Sequence, residues 1–167
     1  MSHNSHAQTQ TILEQIEANK VYLEYLEKGY DIVKKGLNLI SDIKNGEFNL
    51  HNDFFNSLKT INPYIKKGLT DIMMLGQKII YNSNKMKLDK LVDETINDLT
   101  EVIRLTTNNE YGMKDDERLR RIDAIYKEMQ ENYGFVRRAV DQNKILSIQQ
   151  LQEKQEIETS RKLYNIK

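Results

Sequence analysis

Cysteine is absent from this 167-residue chain. That removes disulfides, thiolate nucleophiles and cysteine-based zinc or iron–sulfur sites. Tryptophan is absent as well, and one proline with seven glycines leaves little material for turn-rich β-structure. Net charge is missing too. The 25 basic residues offset 25 acidic ones, which argues against a strongly electrostatic partner such as duplex DNA. No apolar run nears the roughly 20 residues that span a bilayer. No charged segment followed by an apolar stretch opens the sequence as a signal peptide would. The motifs HExxH, GxSxG, the phosphate-binding P-loop, the dinucleotide glycines and the EF-hand loop are all lacking, and no nucleophile stands beside a base.

What remains is helix. A hydrophobic content of 38% and a mean hydropathy of −0.70 fit long amphipathic helices around a thin core. The first predicted helix runs from Thr9 to Lys44. In it Ile12, Ile16, Asn19, Leu23, Leu26, Tyr30, Val33, Leu37 and Ile40 step by alternate fours and threes. That is a heptad seam, suited to shallow packing against another long helix, and its Leu23–Ile40 part is expected to be core. Asn19 is either a buried polar residue that fixes register or an exposed position beyond the packed region. Gly29 and Gly36, seven apart, point to close approach by a neighbouring helix. Asn45-Gly46 supplies the stop.

A short second helix is expected over Leu50 to Thr60, capped by Asn49 or Asn52. Phe48, Phe54 and Phe55 there either plug one end of the bundle or form an aromatic docking surface. Asn62 caps a third helix and Pro63 opens it. This helix is expected to reach Asn82, with Ile65, Leu69, Ile72, Gly76 and Ile79 inward. Met73-Met74 widen its apolar face as core filler. A turn over Tyr81–Asn84 leads to a fourth helix, Lys85 to Thr107. The fifth starts at Asp115-Asp116-Glu117, acids placed where the helix dipole favours them. Its seam, from Leu119 through Ile122, Tyr126, Met129, Tyr133 and Val136, stops at Val140. Beyond it Ile145, Ile148 and Leu151 form a narrow shifted stripe, a candidate partner surface. The tail either overhangs as one continuous helix or bends near Asp141–Asn143.

The titratable groups give little chemistry. His3 and His6 lie on the N-terminal segment, and His51 stands near Glu47 and Asp53, a set that reads either as a metal-site fragment or as loop polarity and capping. Arg118, Arg120 and Arg121, like Lys34-Lys35, Lys66-Lys67 and Arg137-Arg138, have acids nearby on the same helix. The nine tyrosines have no basic stripe to make a nucleic-acid platform. No cofactor, metal or catalytic residue is assigned, and the chain is expected not to be an enzyme. The expected fold is all-α: an elongated antiparallel bundle over residues 9–140, a flexible N-terminus over 1–8 and a helical extension over 141–167.

The stretch Lys28–Ile65, KGYDIVKKGLNLISDIKNGEFNLHNDFFNSLKTINPYI, resembles a family of helical proteins encoded in conjugative elements of Bacteroidetes-type bacteria. Members read KGYxIxxxGLxxIxxIKxGEFxLHxDFFNSLKxxNPxI. The likeness covers about residues 20–65, thins afterwards and returns in the terminal RKLYNIK. Family members carry labels of conjugal transfer or of TerB-like tellurite resistance. The Ser5-His6-Ala7-Gln8-Thr9 stretch is similar to the end of their export signals. The resemblance implies a non-enzymatic assembly component of a conjugative, type IV-like transfer apparatus. Its partners would be other apparatus proteins or further copies of itself, in the periplasm or otherwise outside the inner membrane. The tellurite label implies instead a metal-stress or small-ligand protein, and a native N-terminus would make it a cytoplasmic adaptor.

Overall fold

The computed structural model describes residues 2–47, 52–107 and 112–164. It is all-α: α1 spans Ser2–Lys44, α2 Asn52–Ser57, α3 Pro63–Met86, α4 Asp89–Leu105 and α5 Asp115–Leu163, with a 3-10 turn, Leu58–Thr60, after α2. Helix α1 already includes residues 2–8, so the helix starts before the expected Thr9. Helix α5 is one unbroken helix of 49 residues, about 70 Å long at 1.5 Å per residue, with no interruption near Asp141.

Helix α4 packs against α1, α3 and α5 and runs antiparallel to them. Its last turn meets Arg118 near the start of α5. Its first turn shares a groove with Asn132 and Phe135, further along α5. Helices α3 and α5 lie side by side and parallel. Asn62, before α3, donates to Asp115 at 2.9 Å, and Asn143 reaches the Met86 sulfur at 3.6 Å. Helix α1 runs with α3 and α5, so its N-terminal half leaves the bundle at one end and the α5 tail leaves at the other.

The core follows the apolar periodicity in α3, α4 and α5. Ile65, Leu69, Ile72 and Ile79 of α3, Leu99, Val102 and Ile103 of α4, and Ile122, Met129 and Val136 of α5 are all buried. Met73 joins them, whereas Met74 is exposed, so only one of the methionine pair fills core. Helices approach closely at three glycines, among them Gly68, where a Cβ would stand 2.8 Å from Ile122. A Cβ on Gly36 would stand 2.6 Å from Ile103, and one on Gly76 would stand 2.6 Å from Leu99.

Helix α1 departs from the expected seam. Leu23 is 58% exposed, Tyr30 72% and Leu37 37%, and the buried face is Gly29, Ile32, Gly36, Leu39, Ile40 and Ile43. At 100° per residue the two stripes lie about a third of a turn apart. A strict seven-residue repeat drifts ~20° per heptad on a straight helix. The seam therefore swings toward the bundle as α1 ascends: Val33 is half-buried against the core, and full burial comes only at Ile40.

The turn between α3 and α4 is also later than expected. Ile79, Ile80 and Ser83 are buried, so packing carries α3 through Tyr81–Asn84. Lys85 lies over the Tyr81 ring at 4.2 Å. The chain reverses at Lys87, which adopts a left-handed conformation with φ 56° and donates its N–H to the α3 carbonyls of Asn84 and Ser83. A lysine carries no sequence signal for such a cap.

Candidate functional site

At the end of the bundle where α1 departs, three helix ends meet around one arginine. Asn62 accepts from the Tyr64 N–H at 3.0 Å, the expected N-cap of α3. Its amide donates to Asp115. Asp115 pairs with Arg118, whose guanidinium also donates to the carbonyl oxygens of Thr106 at 3.1 Å and Leu105 at 3.5 Å. The Arg118 side chain is only 7% exposed. Its charge thus answers the carbonyl end of α4, where the helix dipole is negative. Its Nε has no protein partner. The two hydrogen bonds hold the Asp115 carboxyl below the usual carboxylate range, that from Asn62 first and that from Arg118 second. Arg118 is therefore not the solvated member of a surface pair. Its place in the sequence carries a faint signal, since it stands four residues before Ile122 in the buried stripe of α5.

Above this node a cleft of about 360 Å³ opens between α1 and the helix ends, with Val21, Glu24, Lys28, Thr106, Asp115 and Arg118 among its walls. Of its polar lining, Asn62, Asp115 and Arg118 are engaged in joining helices. Asp98 of α4 lies partly buried, with Glu128 of α5 nearby. Its pKa is pushed up to about 6, chiefly by burial and then by Glu128, Glu101 and Glu94. Arg121 stands 3.7 Å from Glu101 and offsets part of that negative charge.

The expected partner residues divide. Phe54 is 1% exposed and meets Phe55 edge to face at 5.2 Å. Phe55 is partly buried against the core. The pair therefore covers the core beneath α2 and does not form an exposed docking face, while Phe48 lies outside the described residues. Ile145, Ile148 and Leu151 are exposed on the free part of α5, joined by Leu146, Ile157, Leu163 and Tyr164. His51 also lies outside the described residues, as do the side chains of His3 and His6. Among the described residues no cluster of three or more His, Asp or Glu gathers as a metal-ligand set, and no helix is long and apolar enough to cross a membrane.

The larger surface takes in part of the seam expected as core, Leu23, Tyr30 and Leu37, together with both helix extensions. Every described side chain from Gln8 to Glu24 is exposed, as is every one from Asp141 to Tyr164. Ile12, Ile16, Leu23, Tyr30 and Leu37 make an apolar line along α1. It begins on the free-standing half of the helix and continues up the outside of the bundle. Comparison with protein families, curated proteins and solved structures gave no match.

Proposed function

We propose that this protein is a non-enzymatic assembly component that works by protein–protein contact through the helices leaving each end of its bundle. The observation that carries this reading is the amount of apolar side chain that α1 and α5 hold in water. Scattered exposed leucines need no explanation, whereas aligned ones mark interaction surfaces. Isolated helices of this length are marginal in water, and in proteins they draw most of their stability from packing. Two such extensions on one small bundle are best accounted for by partners that cover them.

The likeness of residues 28–65 to proteins of conjugative elements supports a conjugative, type IV-like transfer apparatus as the assembly. It also supports a place in the periplasm or otherwise outside the inner membrane. Capture of the tagged protein from donor cells during mating tests this reading. Co-recovery of transfer-apparatus proteins, lost on deletion of residues 145–167 or on charge insertion along α1, is the expected result. Unimpaired transfer by a donor lacking the protein would overturn it.

A further inference from the structure

The exposed line on α1 has the spacing of a coiled-coil seam, and its flanks carry charge. From Ile12 to Leu37 the exposed Ile12, Ile16, Asn19, Leu23, Tyr30 and Leu37, taken with the half-buried Leu26 and Val33, alternate by fours and threes. With Ile16, Leu23, Tyr30 and Leu37 at heptad position a, and Ile12, Asn19, Leu26 and Val33 at d, one flank is Leu13, Lys20, Glu27 and Lys34. The other flank contains Gly29 and Gly36 and turns toward the bundle. A 3.5-residue repeat suits a second long helix lying nearly parallel or antiparallel to the first, and apart from Leu26 and Val33, which are half-buried with Val33 packed against the core, this face is exposed.

We infer that α1 is a dimerisation helix: two copies of this chain pack their Ile12–Leu37 seams antiparallel, about an axis between positions 24 and 25. This inference rests on the assembly reading above and names one of its partners. In that register all the layers are filled. Ile12 of one copy lies opposite Leu37 of the other, Ile16 opposite Val33, Asn19 opposite Tyr30 and Leu23 opposite Leu26. The overlap is ~38 Å long. The flanks then bring Lys20 of each copy against Glu27 of the other, so two ion pairs form by symmetry. Leu13 lies along the aliphatic stem of Lys34. A parallel in-register pair sets Lys20 against Gln15, Glu27 against Tyr22 and Lys34 against Gly29, with no ion pair at all. It also stacks Asn19 on Asn19 and Tyr30 on Tyr30. Charge complementarity thus selects the antiparallel arrangement.

The same register accounts for the free-standing half of α1. Residues 12–23 of each copy, exposed on every side in the single chain, are laid against residues 26–37 of the other, the half held by a bundle. The buried face of α1 lies about a third of a turn from the seam, so each bundle sits beside the seam and not over it. Such a two-fold interface is isologous and closed.

The absence of cysteine makes the test direct. Sedimentation equilibrium should give twice the 19.7 kDa chain mass. Leu23→Glu should weaken association by about a hundredfold or more, through charge placed in two central layers, while the bundle melts unchanged. Lys20→Glu should weaken it about tenfold, and Lys20→Glu with Glu27→Lys should restore it. Mild oxidation of a mixture of Ile12→Cys and Leu37→Cys chains should yield mixed disulfides joining one to the other. A chain that stays monomeric at tens of micromolar overturns the inference, as do disulfides joining Ile12→Cys to itself, which report a parallel pair. A monomer whose Leu23→Glu variant still loses capture of apparatus proteins assigns the seam to a different protein, which sinks the dimer and leaves the assembly function standing. A dimer in cells whose transfer is indifferent to the protein does the reverse.

Discussion

Arg118 shows what a single side chain does at the end of this bundle. It neutralises the carbonyl terminus of α4, pairs with the first residue of α5 and, through Asp115, ties in the Asn62 cap of α3. Hydrogen bonds to a charged donor contribute about 1.5–3 kcal/mol each, and removing a guanidinium from this site leaves buried carbonyls without a donor. Arg118→Ala is expected to destabilise by about 2–3 kcal/mol in urea unfolding. Gly36 gives a second test at this scale. Helix propensity alone favours alanine by about 1 kcal/mol. The new Cβ, however, would meet three Ile103 side-chain atoms at 2.6–3.0 Å, and Ile103 is itself fully buried and cannot yield. Overpacking of this kind costs about 1–3 kcal/mol, so Gly36→Ala should lower the melting temperature. Asp98 gives the third. Its folded pKa, about 6, lies above the ordinary 3.8. The folded state therefore binds the proton more tightly than the unfolded chain between those values, and stability rises as pH falls from 7 toward 4. The gap between the folded and unfolded values sets a ceiling of about 3 kcal/mol, and solvent screening of a half-buried group reduces this to about 1 kcal/mol. Asp98→Asn should stabilise the protein at pH 7 by that amount and flatten its pH profile over this range, read by thermal melts across pH.

At the scale of the element, α1 carries two apolar stripes, and that ambiguity decides what sequence could show. In α3 and α5 one stripe dominates, so periodicity finds the core: Ile65, Leu69, Ile72 and Ile79 are all buried where spacing places them. In α1 the longer and more regular stripe is the exposed one. The buried stripe is interrupted by Gly29 and Gly36, which read as weak positions although Gly36 marks one of the closest approaches between helices. Hydrophobic spacing reports that a face wants a partner and does not say whether the partner belongs to the same chain. Reading the Leu23–Ile40 heptad as core is therefore overturned at Leu23, Tyr30 and Leu37 and holds at Ile40. Two substitutions separate the stripes. Ile32→Ala should cost about 2–5 kcal/mol as a buried truncation. Tyr30→Ala, measured in dilute protein, should stay within the surface range of about ±0.5 kcal/mol. The Arg118 node left only a faint trace in the sequence for a related reason. An arginine beside three acids looks like a solvated helix start, and only the arrival of α4 from another part of the sequence turns it inward.

On the scale of the whole molecule, the bundle and its extensions have separate stability. Contacts that define the fold end at Val140 on α5, and the last interhelical hydrogen bond joins Asn143 to Met86 at 3.6 Å. From Asp141 onward every described side chain faces solvent. The segment contributes no burial, so it has nothing to give the bundle except the continuity of one helix. Its backbone hydrogen bonds are satisfied within itself, and without tertiary contact a helix of this length is marginal. Deleting residues 145–167 should therefore leave the melting temperature of the bundle within about 2 °C, since a change of 1 kcal/mol moves a domain of this size by roughly 2–4 °C. Helical circular dichroism should fall by less than the share of residues removed, because the lost segment frays when unpartnered. Self-association through α1 should be untouched, as the two extensions leave opposite ends of the bundle. Unfolding of the truncated chain would mean that the tail folds back as core. A loss of dimer with the fold intact would mean that α5, and not the seam of α1, joins the copies. Retained dimer with lost capture of other proteins would give the extensions distinct work: one copy at one end, the rest of the assembly at the other.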